Sequence, residues 1–155
     1  MSKATMPQVN VRIHTLKGLS HDVMRRHPRG GSVTISASIG GVIKTTQAVR
    51  WGKGVKMNEV TWNNAQGSLT WDVSSALVQE IKASNPKIKL TIAVPDDHSD
   101  KSDIAGYIVL DARDLSREVK NKWIKIHGAG TGGELQISAK LNTLLRSIDF
   151  GGPGG

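Results

Sequence analysis

Four stretches of this chain alternate apolar and polar residues with a period of two, and that alternation limits the fold more than any other feature. Val9, Val11 and Ile13 are interleaved with Asn10, Arg12 and His14, while Val33, Ile35, Ala37 and Ile39 alternate with serine and threonine. Ile88, Leu90, Ile92 and Val94 alternate with Lys87, Lys89, Thr91 and Ala93. Leu135, Ile137, Ala139 and Leu141 alternate with Gln136, Ser138 and Lys140. Successive side chains of a strand point to opposite faces, so each stretch offers one face to a core and the other to water, as antiparallel sheets do. Ile39-Gly40-Gly41-Val42 places glycine at both central positions of a two-residue hairpin, where positive φ is needed. Val42–Val49, Ser68–Val73, Ile104–Asp111 and Lys122–Ile126 supply further strands.

One segment follows a different period. Ser74 and Ser75 precede Leu77, Val78 and Ile81, which fall on one face of a helix, and Asn85-Pro86 stops it. The pattern therefore predicts an all-β fold, an eight-stranded antiparallel β-sandwich with one short helix. Residues 8–142 would form this domain, with 1–7 as an N-terminal extension and 143–155 as a C-terminal linker. The linker ends in Gly151-Gly152-Pro153-Gly154-Gly155, which has no side chains able to pack. A chain of 155 residues suits one such domain.

Composition narrows the partners rather than the fold. Lys and Arg number 21 against 13 Asp and Glu, a net charge of +8. That excess favours acidic partners: nucleic acid, anionic membrane or an acidic protein surface. The absence of cysteine excludes disulfides and Cys-ligated zinc. No signal-peptide-like stretch opens the chain, and no apolar run approaches the ~20 residues of a membrane span, so a soluble, intracellular protein is expected.

Local sequences resemble the C2 domain family. Thr61-Trp62-Asn63-Asn64 and Leu69-Thr70-Trp71-Asp72-Val73 are similar to the Trp-Asn-Glu…Phe-x-Phe-x-Val stretch of its middle strands. Val94-Pro95-Asp96-Asp97 followed by Asp103-Ile104-Ala105-Gly106 resembles its third top loop, where aspartates precede an Ile-Gly pair. A narrower likeness lies in the run from Ala105 to Arg113, continued by Lys122-Trp123 and by Glu134-Leu135-Gln136-Ile137-Ser138. This resembles the first C2 domain of the 120-kilodalton centrosomal protein family, which acts in centriole assembly and elongation. The resemblance implies a C2-type β-sandwich, tubulin or microtubule binding, degenerate calcium loops, and a place at the centrosome, centriole or basal body.

Calcium requires six to eight oxygen ligands, which a C2 site draws from two loops. Asp96, Asp97, Asp100 and Asp103 provide one such loop, but the other, Gly18 to Gly31, offers only Asp22 and carries Arg25, Arg26 and Arg29. If the two loops are neighbours, arginines neutralise the aspartates in place of a metal. Calcium independence is expected, and no metal or cofactor. Gly128, Gly130 and Gly133 spell G-x-G-x-x-G, yet they lie between two strands rather than before a helix, which reads as a hairpin loop. His98 stands among aspartates in a polar loop, and no catalytic motif occurs, so no enzymatic activity is expected. Trp62, Trp71 and Trp123 adjoin or sit in strands and should fill the core, whereas Trp51, between Arg50 and Gly52, should be exposed.

The remaining signal is basic. Lys87 and Lys89 occupy the solvent phase of one strand, and Lys44, Arg50, Lys53 and Lys56 lie in and after another. C2 topology would gather these six on one concave face as a partner-binding surface, with Arg25, Arg26 and Arg29 as secondary candidates. The expected function is a non-catalytic module for tubulin, microtubules or acidic centriolar proteins. The alternative is calcium-independent binding of anionic phospholipid through the same lysines. Nucleic acid is not expected, because no reader motif accompanies the charge.

Overall fold

The computed structural model describes residues 7–19, 21–27, 31–51, 59–84, 86–95, 102–128 and 133–142. Arg29, Lys53, Lys56, Asp96, Asp97, His98, Asp100, Gly130 and the segments 1–6 and 143–155 lie outside the described residues. The strands, in chain order, are β1 (Gln8–Lys17), β2 (Ser32–Ile39), β3 (Val42–Thr45), β4 (Val49–Arg50), β5 (Val60–Thr61), β6 (Ser68–Asp72), β7 (Lys87–Pro95), β8 (Ser102–Asp111), β9 (Val119–Lys125) and β10 (Glu134–Asn142). They form two antiparallel sheets. In the first, β10 lies between β1 and β9, and β5 and β6 share the far edge of β1. In the second, β7 lies between β2 and β8, and β3 and β4 share the far edge of β2.

Ten strands thus occupy eight positions, because one edge strand of each sheet is broken in two. The break after β3 corrects the single strand expected over Val42–Val49. Thr46 turns into the interior, where its Oγ1 accepts the Ile35 N–H at 3.0 Å and donates to the Gln47 carbonyl at 3.1 Å. A buried hydroxyl must be paired, and here it takes the Ile35 N–H in place of a backbone carbonyl, while the Thr46 N–H still donates to the Ile35 carbonyl at 2.9 Å. The break before β6 is a one-turn helix, Asn64–Gly67. Asn63 caps it, accepting from the Gln66 N–H while the Gln66 side chain accepts from the Asn63 N–H.

The alternating apolar residues all face the space between the sheets. Ile35 stands opposite Ile92 and Ala37 opposite Leu90 in the second sheet; Ile13 stands opposite Ile137 and Leu16 opposite Leu135 in the first. All are buried, and each large aliphatic contributes about 1.5–3 kcal/mol by leaving water. The predicted helix spans Ser75–Ser84, with the Ser74 hydroxyl accepting from the Leu77 N–H at 3.1 Å. Its Val78 and Ile81 reach the core. Among the described residues three short helices escaped the sequence reading, the five-residue His21–Arg25, the one-turn Asn64–Gly67 and the 3-10 turn Ala112–Arg117, since none is long enough to display a period.

Hydrogen bonds close both rims of the sandwich, among them the Trp62 indole N–H donating to the Gln47 carbonyl at 3.0 Å. On one side the Trp71 indole N–H donates to the Val42 carbonyl at 2.8 Å, linking the broken edges. On the other, Tyr107 and His127 exchange backbone hydrogen bonds of 3.0 and 2.8 Å, joining β8 to the chain just past β9.

Candidate partner-binding surface

The cations singled out from the sequence do not form one patch. Lys87 and Lys89 project from the outer face of the second sheet, where they stand opposite Asp111 and Val109. Arg50 is paired with Ser32 and so shares that outer face. Lys89 is level with Ser38, six residues along β2, which at strand rise separates it from Arg50 by roughly 20 Å. Lys44 belongs elsewhere. It is paired with Ala37, whose side chain is buried, so Lys44 lies on the core side of the sheet at its rim. The reason is phase: the Gly40-Gly41 turn fixes the register, and directly paired residues share a face.

Lys87 and Lys89 are also engaged locally. Lys87 Nζ lies 3.2 Å from Asp111 Oδ2, and Lys89 Nζ lies 4.6 Å from the centre of the Tyr107 ring. Asp111 additionally caps the 3-10 turn, accepting from the Arg113 N–H. Reversing Lys87 to glutamate would oppose two carboxylates, so neutral replacements are the cleaner probe of this face.

The structure adds a basic element that the reading of the sequence did not weigh. Strand β9, Val119-Lys120-Asn121-Lys122-Trp123-Ile124-Lys125, carries three lysines and no acidic residue. That density was visible in the sequence; its position was not. β9 is the edge of the first sheet, and beyond the Tyr107–His127 bridge it diverges from the β8 edge of the second. A groove of about 330 Å³ opens between them, rimmed by Lys87, Lys122 and Lys125, with Asp111 and Asp114 also lining it. Val109, Leu110 and Ile124 give it an apolar floor. Lys87 therefore joins the β7 lysines to those of β9. Trp123 is a correction: it pairs with Gln136 on the outer face, half-buried, with Lys17 Nζ 4.5 Å from the centre of its ring. Trp62 and Trp71 are buried as expected.

The arginine-rich segment meets the acidic one. Arg26 Nε lies 2.5 Å from Asp103 Oδ2 and its Nη2 donates to Oδ1 at 3.1 Å, while His27 Nε2 approaches Oδ2 at 3.3 Å. Arg25 pairs with Asp22 within its own short helix. An arginine thus occupies the carboxylate of Asp103, as the composition of the two loops suggests. Among the described residues, no group of three or more His, Asp or Glu is placed to hold a metal ion. Trp51 is half-buried rather than exposed, because its indole packs on Gly31 and against the edge of His27, with ring centres 6.1 Å apart.

The Arg26 hydrogen bond, with lesser help from charge and from His27, holds the Asp103 carboxyl below its ordinary value of 3.8 against the opposing effect of partial burial. A carboxylate whose folded pKa is depressed stabilises the fold above its unfolded pKa, and that contribution is lost as pH falls through the folded value. Arg26 is 49% exposed, so screening limits the pair to about 1 kcal/mol. Asp103→Asn should lower neutral-pH stability by that amount and flatten the loss of stability below pH ~4. Urea melts of both proteins at neutral and acid pH measure it; parallel losses would remove Asp103 from the account.

No family model matches this sequence, and no curated protein matches it. Solved structures do. CC2D1B, a protein that coordinates ESRCT-III activity during mitotic reformation of the nuclear envelope, is 9% identical with a TM-score of 0.64, covering 95% of this chain and 60% of that one. A C2 domain of plant Extended Synaptotagmin 1 is 12% identical with a TM-score of 0.60, covering 90% of this chain and 97% of that domain. Human GIVD cytosolic phospholipase A2 is 13% identical with a TM-score of 0.59, covering 91% of this chain and 16% of the enzyme. At such identities the likeness establishes the fold alone. With two four-position antiparallel sheets and few short helices, the chain is a C2-type β-sandwich.

Proposed function

We propose that this domain is a calcium-independent, non-catalytic interaction module of a centriole-assembly protein, binding tubulin, microtubules or another acidic protein surface through its basic side. One observation carries the reading. Asp22, Asp103 and Asp111 are taken by Arg25, Arg26 and Lys87, whereas Lys89, Lys120, Lys122 and Lys125 have no carboxylate partner among the described residues. Uncommitted cations create a potential that attracts acidic surfaces. The resemblance of Gly106-Tyr107-Ile108-Val109-Leu110-Asp111 to the centrosomal family supports tubulin as the acidic surface, and a cytoplasmic site at the centriole with it. The phospholipase shares with this chain only a small part of its length, so its activity does not transfer.

A second reading, binding to anionic phospholipid, rests on the β2–β3 hairpin. Val42 and Ile43 are 52% and 69% exposed beside Lys44, an apolar tip flanked by charge. Co-sedimentation decides between the two. The wild type should pellet with microtubules, equally with calcium or a chelator, and less as salt rises, because screening reaches ~8 Å at physiological ionic strength. Lys89→Gln with Lys120→Gln should weaken pelleting several-fold, on the order of 1 kcal/mol for two exposed charges. Pelleting with anionic liposomes in place of microtubules would transfer the site to the hairpin.

A further inference from the structure

We infer that the open edge of β9 takes an extended acidic peptide as an added strand, seated in the groove between β8 and β9. The inference rests on the acidic-partner reading above and states the form in which that partner binds. Its first support is backbone direction. The Ile126 N–H donates to the Gly133 carbonyl, toward β10. By the two-residue period of a strand, the amide and carbonyl of Lys125 and Trp123 face the opposite way, into the groove. His127 continues that row and shows what it can do: both its backbone groups are already paired with Tyr107. Beyond this bridge the two strands part, and nothing among the described residues pairs with the outward groups of Trp123 and Lys125.

The second support is chemical. An unpaired edge is a template for another strand, and lysines on it select which strand is accepted. Pairing β9 with β9 of a second copy would bring six lysines together, three from each, which disfavours self-association. The same lysines attract a segment rich in aspartate and glutamate. Lys122 lies on the face of Ile137, directed to the mouth of the groove, and Lys125 stands opposite Glu134 on the outer face. An added strand with acidic residues on both of its faces meets a lysine on each. The floor of Val109 and Ile124 accommodates the apolar residues between them.

The test uses a fluorescein-labelled peptide, Glu-Glu-Val-Val-Glu-Glu-Val, which carries glutamate and valine on both faces of an extended strand, followed by fluorescence polarisation. Two versions are N-methylated on alternate residues, one on each edge of the extended peptide. The expected result is binding of the unmethylated peptide and of one methylated version only, because a single edge pairs with β9. Lys122→Gln with Lys125→Gln, which sets no carboxylate against Glu134, should weaken binding several-fold at unchanged melting temperature. The amide protons of Trp123 and Lys125 should become protected from exchange when peptide is bound. Equal binding of both methylated versions would reduce the interaction to charge alone and overturn the added strand. Binding to vesicles of phosphatidylcholine and phosphatidylserine but not to peptide would overturn it in favour of lipid. If microtubules retained the wild type and the double variant equally, this site would fall while the acidic-surface reading stood. If the wild type bound neither peptide nor microtubules, both would fall.

Discussion

Ile35→Asp should unfold the domain, or leave it so weakened that denaturant melts it well below the wild-type midpoint, while Ser36→Asp one residue away should cost less than about 1 kcal/mol. Ile35 and Leu90 are 0% exposed, and the partners of Ile35 and of its neighbour Ala37 across the second sheet, Ile92 and Leu90, are core residues too. Truncating a buried Ile or Leu costs about 2–5 kcal/mol, and leaving a carboxylate there without a partner adds the cost of an unpaired buried charge. The sum approaches the whole stability of a domain this size, typically 5–15 kcal/mol. Ser36 faces out, its hydroxyl 2.9 Å from that of Thr45. Urea titrations followed by circular dichroism compare the two directly, with Leu90→Asp as a second core site. Equal costs at Ile35 and Ser36 would mean that the inward phase of β2 is misassigned.

The second large effect is expected at Gly106. Its φ is +149°, a region side chains rarely enter, and it lies where β8 bulges: Ile92 stands opposite Gly106, Ala93 opposite Ile104. A methyl group at this position would lie 2.6 Å from Ile126 Cγ2 and 2.8 Å from the His127 carbonyl oxygen. Both belong to the chain that closes the rim through Tyr107, so neither gives way without opening the bridge. Backbone strain of roughly 1–2 kcal/mol and overpacking of roughly 1–3 kcal/mol combine to about 3 kcal/mol for Gly106→Ala. That corresponds to a fall in melting temperature on the order of 10 °C for a chain of this length. Gly41→Ala is the control. Its φ is +81°, but nothing lies within 4 Å of an added methyl, so it should show the backbone cost alone, about 1 kcal/mol. Equal losses in the two variants would mean that the contacts at Ile126 and His127 carry no weight.

These two predictions draw on different kinds of information. The inward phase of Ile35 and Leu90 was legible in the sequence, because alternation is a local property of a strand and burial follows from it. The helix from Ser75 was legible for the same reason, its serine cap and Pro86 stop being local signals. The clash at Gly106 was not. Glycine there is visible, as is its likeness to the Ile-Gly pair of C2 domains, but the Ile126 and His127 atoms against it arrive from some twenty residues further on. The bulge that imposes its positive φ is equally a matter of pairing between strands.

The same division runs through the basic surface. Composition established that cations outnumber acids, and the residues of the two loops suggested that an arginine would meet an aspartate, as Arg26 meets Asp103. Which lysines share a face depended on register, a relation between strands that no single strand encodes. Lys44 lies on the opposite side from Lys87 and Lys89 because the Gly40-Gly41 hairpin sets it level with Ala37. Lys87 and Lys122, 35 residues apart, rim one groove because the two sheets part beyond the Tyr107–His127 bridge. Sequence alone therefore determined the four alternating strands, their buried faces and the sign of the charge, all properties that repeat along one segment. The tertiary structure decided which charges stand together, which are already paired and which edge is left open, since each of these depends on two segments meeting in space.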